Sequence, residues 1–326
     1  MTRRSVVFQA PRRIEVNHDD IPSPREGEVL VRTLVSGISA GTELHVYRGD
    51  ISEGVLLDET LPSLQEPFRY PATYGYASVG EVVDDGRRVF AFQPHVSHYV
   101  AREDELYDVP EDLSSEAAAL WPSVETAVNL VLDARPLVGE RVLVVGQGVV
   151  GLATTSVLSR FPLGELCTVE PIESRRVASE RCGAGRSLHP DEADEANEAN
   201  EASDFDLSIE LSGTSSGLDC AIAATGFEGR VVVGSWYGDK PLPVELGTHF
   251  HRGRIRLISS QVSHIGSPLL SRWTKKRRMQ VASTSLANLP SAELVTHRFP
   301  VERAAEAYTL LDQHPERCLQ VLLTYT

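Results

Sequence analysis

Lysine is nearly missing from this chain of 326 residues: Lys240, Lys275 and Lys276 are the only three, so arginine carries almost all the positive charge. Acidic residues outnumber basic ones and leave a formal net charge of −15. That balance argues against a nucleic-acid partner, because phosphate binding needs a basic stripe. The local exception, "KKRR" at 275–278, follows "SRW" in an amphipathic segment and reads as a solvated helix face. Cysteine is scarce as well. Cys167, Cys182, Cys220 and Cys318 form no CxxC pair, and none precedes residue 167. They read as small apolar residues of a reducing compartment. No apolar run approaches the roughly 18 residues of a membrane span, and the first residues lack the pattern of a signal peptide. A cytoplasmic protein without a membrane partner is expected.

The length suits two domains. Through residue 110 the chain shows short apolar alternations broken by glycine and proline, as in "SVVFQ", "EVLVRTLVSG" and "SVGEVV". This is the texture of an antiparallel β domain or barrel. From Arg141 the texture changes to apolar strands separated by helix-length segments: "RVLVVG", "VVGLATTSVLSRF", "LCTVE", "DLSIELSG" and "RVVVGSW". Such alternation predicts a parallel sheet with crossover helices, hence an α/β domain. The acidic run 189–206 reads as a solvated connection.

The strongest chemical signal is "RVLVVGQGVVG". Gly146, Gly148 and Gly151 follow a strand and open a helix in the spacing GxGxxG. The first glycine permits the tight turn, the second lets backbone approach a pyrophosphate, and the third allows close helix packing. Val149 and Val150 place their N–H groups at the helix start, where negative charge is favoured. Glu170 ends the next strand nineteen positions after Gly151. Its carboxylate can accept from a ribose hydroxyl and would repel a 2′-phosphate, so NAD is favoured over NADP. Arg175 and Arg176 would hold a phosphate if Glu170 turned away.

In order along the chain, "SGISAGTELHVYRG", "YGYASVGEVV", "GRRVFAF", "VLVVGQGVVGL" and "FPVERAAEAYTLL" resemble the landmarks of the medium-chain dehydrogenase/reductase superfamily. The resemblance spans nearly the whole chain. It implies a GroES-like catalytic domain, an antiparallel β-barrel, at 1–118 and 263–326, and a Rossmann dinucleotide-binding domain at 119–262. It also implies Val233 and Gly234 beside the nicotinamide, and a homodimer or homotetramer. Zinc-dependent members take ligands from positions that fall here near Ser39, at Tyr76 and near Pro122, none a good zinc ligand. The chain therefore resembles a zinc-free branch, similar to proteins related to bacteriochlorophyllide a dehydrogenase. His95 and His98, and Glu43 with His45, are too few for a metal site, and a surface or core-edge role is expected of the histidines.

Thr42 and His45 match the family's proton-relay hydroxyl and imidazole, and Tyr76 stands where a ligand would be, able to aim a phenol at a substrate oxygen or merely to fill volume. Zinc supplies several kcal/mol of charge stabilisation, and one aimed hydrogen-bond donor about 2.7–4 kcal/mol, so donors can replace the metal. The expectation is an NAD(P)-dependent oxidoreductase without zinc, acting on a small-molecule alcohol or carbonyl. Reduction of an enone or quinone, and dinucleotide binding without turnover, are the alternatives.

Overall fold

In the computed structural model, which describes residues 2–61, 64–193, 204–239 and 241–325, the chain divides into two units. One is Met1–Pro122 with Ser291–Thr326, and the other is Ser123–Pro290. The first unit contains two sheets. In the smaller, β1 (Arg3–Ala10) lies between β2 (Arg13–Asp19) and β4 (Ala72–Thr73), antiparallel to both. The larger sheet uses β3 (Glu28–Ile38), β5 (Ser78–Val82), β6 (Arg88–Ala91), β7 (His98–Arg102), β8 (Tyr107–Asp108), β15 (Val295–Pro300) and β16 (Gln320–Thr324). Its order is β15-β16-β3-β5-β6-β8, with β7 also paired to β3.

All these pairings are antiparallel except β15 with β16. Those two run parallel because helix α7 (Ala304–Gln313) crosses between them. The helix buries Ala304, Ala307, Tyr308 and Leu311, the i, i+3, i+4, i+7 stripe of an amphipathic helix. That stripe joins Val6, Phe8, Val46, Val321 and Leu323 in the unit's core. Helix α1 (Ala40–Arg48) ends at Gly49 in the left-handed conformation (φ 77°), and buries Glu43 beside Leu44, Val46 and Tyr47. A buried acid inside an apolar stripe is a departure that needs partners.

The second unit carries β9 (Arg141–Val145), β10 (Glu165–Val169), β11 (Arg186–Leu188), β12 (Phe205–Glu210), β13 (Thr225–Val233) and β14 (Arg256–Ser259). They form one parallel sheet in the order β11-β10-β9-β12-β13-β14. Four consecutive residues of β9 are buried, as expected of a parallel strand covered on both faces. The chain runs one way from β9 to β11 and the other way from β12 to β14. The carboxyl ends of β9 and β12 therefore bound a topological switch point, where α/β sheets bind ligands.

Helix α2 (Trp121–Ala134) takes Pro122 into its first turn, where a missing N–H costs nothing. Its Glu125, Asn129 and Asp133 recur every four residues and hold the end of the second unit. Arg278 of the helix Lys275–Leu286 donates to Glu125 Oε1 at 2.7 and 3.0 Å and to Asn129 Oδ1 at 2.6 Å. Ser260 Oγ donates to Asp133 Oδ2 at 2.7 Å. The reading of "KKRR" as a solvated face is corrected at one residue: Lys275, Lys276 and Arg277 are exposed, but Arg278 is 2% exposed. Of the acidic run 189–206, residues 194–203 lie outside those described. Among the described residues no helix is long and apolar enough to cross a membrane.

Candidate functional site

The three glycines after β9 meet three different constraints. Gly146 has φ +91°, and a Cβ there would lie 2.6 Å from Ser212 N and 2.7 Å from Leu211 C. Gly151, in α3 (Val149–Leu158), would set a Cβ 2.0 Å from Gly146 O, so only glycine lets this helix meet the strand end. Gly148 caps α3 with an ordinary φ of −68°, and a Cβ there would meet nothing within 4 Å. Its space adjoins the free N–H groups of the helix start, headed by Val149 and Val150, and fits the pyrophosphate of a dinucleotide.

Glu170 is buried at 3% exposure. Oε2 accepts from Gln147 N at 2.7 Å and Oε1 from Ile172 N at 3.1 Å. The carboxylate is thus tied to the glycine loop itself, with a lone pair left on each oxygen for a ribose hydroxyl. Arg176, in the helix Glu173–Arg181, donates from Nη1 to the carbonyls of Glu170 and Pro171, both at 2.8 Å. Arg175 occupies the same first turn, its N–H bonded to Ile172 O.

Beside them the sheet supplies Glu210, which sequence reasoning missed. Glu210, fully buried at the end of β12, accepts from Ser212 N and Ser212 Oγ, both at 2.6 Å, and from the Tyr237 hydroxyl. Burial first, then the Glu210 hydrogen bond and charge, raise the Tyr237 phenol above its usual range. Gly213 N donates to Ser235 Oγ at 2.9 Å, which stitches the turn after β12 to the segment after β13. Val233 ends β13, its carbonyl accepting from Ser260 N at 2.9 Å. A Cβ on Gly234 would lie 2.6 Å from Leu130 Cδ2 and 2.7 Å from Leu211 Cδ2. A carboxylate at a strand end, followed by the small residues Ser212, Gly213 and Thr214, is the signal that could have disclosed Glu210.

In the first unit the turn into α1 assembles a hydroxyl cluster. The Tyr76 phenol donates to Ser39 Oγ at 2.5 Å. Desolvation first, then the Glu43 charge, push the Tyr76 phenol up to about 12, while hydrogen bonds with Ser39 and Thr42 pull the other way. Ser39, Thr42 and Tyr76 therefore meet. His45, one turn beyond Thr42 on α1, has its Nδ1 3.7 Å from Asp50 Oδ2. His95 is not at the surface or the core edge: it is fully buried, its Nε2 2.9 Å from Glu43 Oε2. His98 stands apart on β7, its Nδ1 3.0 Å from Ser97 Oγ.

The side chains at or near the expected metal-ligand positions, Ser39, Tyr76 and Pro122, are poor zinc ligands. Two are neutral hydroxyls bonded to each other and the third, Pro122, has no donor atom. Among the described residues no three His, Cys, Asp or Glu side chains converge as a metal site.

The chain has the medium-chain alcohol dehydrogenase fold, a parallel Rossmann sheet joined to antiparallel sheets. No protein-family model matches it. Among curated relatives it is similar to the starvation-sensing protein RspB of Escherichia coli K12, 22% identical with 99% of each chain covered. Among solved structures it resembles an alcohol dehydrogenase from E. coli CFT073 complexed with NADH (TM-score 0.77, 19% identity, 99% of each chain covered). It also resembles a dehydrogenase from Sinorhizobium meliloti 1021 bound to NADP (TM-score 0.78, 17% identity, 100% of each chain covered).

Proposed function

We propose that the protein is an NAD(P)-dependent oxidoreductase of the alcohol dehydrogenase type that works on an alcohol/carbonyl pair without zinc. The observation that carries this reading is the Ser39–Tyr76 hydrogen bond: two hydroxyls occupy positions at which zinc-dependent relatives are expected to place metal ligands, beside the retained Thr42. Gly148 with the α3 N-terminus would hold the pyrophosphate, and Glu170 a ribose. When bound, the nicotinamide supplies or accepts the hydride. The chain's own task is then the substrate oxygen, whose developing charge is met by hydroxyl donors. Tyr76 takes part by donating its O–H to Ser39 Oγ, which leaves the Ser39 O–H to meet the substrate oxygen. One such donor in a desolvated site contributes about 2.7–4 kcal/mol to the transition state.

Glu170 tied by two backbone N–H groups, and Arg176 engaged by two carbonyls, support a preference for NAD over NADP. The composition supports a cytoplasmic location, and a homodimer or homotetramer is what the family resemblance implies.

The test is to incubate metal-analysed protein with NADH or NADPH and a panel of ketones, enones and quinones, following nicotinamide absorbance. Oxidation of NADH by a ketone, unaffected by chelator and lowered about 100-fold in Tyr76→Phe, is expected. Stoichiometric zinc in active protein would overturn the metal-free reading. Turnover of enones or quinones alone would move the substrate class, and cofactor binding with no oxidation across the panel would remove the enzyme.

A further inference from the structure

Three donors converge on the fully buried Glu43. Ser39 N–H reaches Oε1 at 2.7 Å, and Oε2 receives His95 Nε2 at 2.9 Å and the Tyr308 hydroxyl. An ionised carboxylate, which only accepts, matches such a set. The ring of His95 is held from its other side: Nδ1 lies 2.6 Å from Ser36 Oγ, itself 3.0 Å from the Tyr325 hydroxyl. With Nε2–H donating to Glu43, Nδ1 accepts from Ser36 and Ser36 accepts from Tyr325, so every member of the chain is satisfied. Gly75 makes room for it. A Cβ there would lie 2.7 Å from His95 Cδ2 and Nε2, which explains a glycine between Tyr74 and Tyr76.

A network of this cost inside an apolar core is retained where it fixes something. What it fixes is Ser39, the acceptor of the Tyr76 phenol. Resting on the functional reading above, we propose that Glu43 is a positioning residue for the Ser39–Tyr76 pair: clamped by His95 and Tyr308, it pins Ser39 through the main-chain N–H and sets a negative charge beside Tyr76. The groups facing Tyr76 are few. Glu43 and Thr42 come from α1, Ser39 from the turn before it, Asp58 from the connection after it, and Tyr74 from its own segment. Among them Glu43 contributes the largest charge effect, in the direction that keeps the phenol protonated.

Two substitutions separate the tether from the charge. Glu43→Gln keeps an oxygen for Ser39 N–H and removes the charge. It is expected to lower kcat about 10- to 100-fold, leave the cofactor KM within about twofold, and move the alkaline limb of kcat/KM downward. Glu43→Asp keeps the charge and draws back from Ser39; it should lower kcat with the alkaline limb unmoved. Should Glu43→Gln fail to fold, Glu43→Asp still tests the tether, and an unchanged kcat in it would overturn the proposal.

Tyrosinate absorbance needs no turnover. With burial still in place, Glu43→Gln should move one phenol ionisation down from about 12 without returning it to the ordinary midpoint near 10, and Tyr76→Phe should abolish that ionisation. This readout stands even if no substrate is turned over, so loss of the functional reading and loss of this proposal remain distinct. An unchanged kcat and alkaline limb in Glu43→Gln, or a lower melting temperature with no change in phenol titration, overturns the proposal.

Discussion

Gly148 and Gly151 stand three residues apart in one motif, yet the structure assigns them opposite consequences on substitution. Gly148→Ala places its methyl where nothing lies within 4 Å, at a φ of −68° that any residue adopts. The folded protein should tolerate it, and the stiffer unfolded chain should add about 0.4–1 kcal/mol of stability. The same methyl enters the space assigned to the pyrophosphate. Losing one hydrogen bond to a charged group costs about 1.5–3 kcal/mol, which weakens NADH binding about 10- to 150-fold. Gly151→Ala instead drives a methyl to 2.0 Å from Gly146 O, so helix and strand must separate. An overpacked contact of this kind costs about 1–3 kcal/mol, or about 2–12 °C in melting temperature for a domain of this size. Fluorescence titration with NADH and calorimetric melting read the two effects separately. Gly148→Ala binding NADH as tightly as wild type, or Gly151→Ala melting with it, would refute the assignment of these glycines.

The remaining predictions concern stability. Arg278→Ala strands the buried Glu125 carboxylate and should destabilise by about 3–5 kcal/mol, whereas Arg278→Met with Glu125→Leu should recover most of the loss; equal melting of single and double variants would refute the ion-pair account. Tyr70 and Tyr76 are pushed up to about 12, mainly by burial, and Tyr74, Tyr99, Tyr308 and Tyr325 are raised as well. Above the unfolded value near 10 the unfolded chain releases protons the folded chain keeps, so their stabilisation is full below about pH 10 and declines as pH rises through about 12. A urea midpoint that stays flat from about pH 9 to 11.5 would contradict this sign.

How much of this was legible beforehand depended on the range of the interaction. The glycine loop was readable because its constraint is local: a tight turn at Gly146 and a close packing at Gly151 each demand glycine at fixed spacing. The strand–helix alternation after Arg141 was readable for the same reason, since burial on both faces leaves an apolar run in the sequence itself. Arg278 was misread because a charge run looks alike whether its members are solvated or one of them meets Glu125, 153 residues away. His95 was misread likewise, since its partner Glu43 lies 52 residues off and carries no mark of burial.

By itself, then, the sequence determined two textures of secondary structure, a GxGxxG loop between a strand and a helix, and the hydroxyl side chains Ser39 and Tyr76. Only tertiary structure decided what these hydroxyls meet. Tyr76 reaches Ser39 across 37 residues, and the carboxylate pinning Ser39 is held by His95 and Tyr308, the latter 265 residues away from it. Buried polar groups must find partners wherever the fold brings them, and sequence distance places no limit on which ones they find.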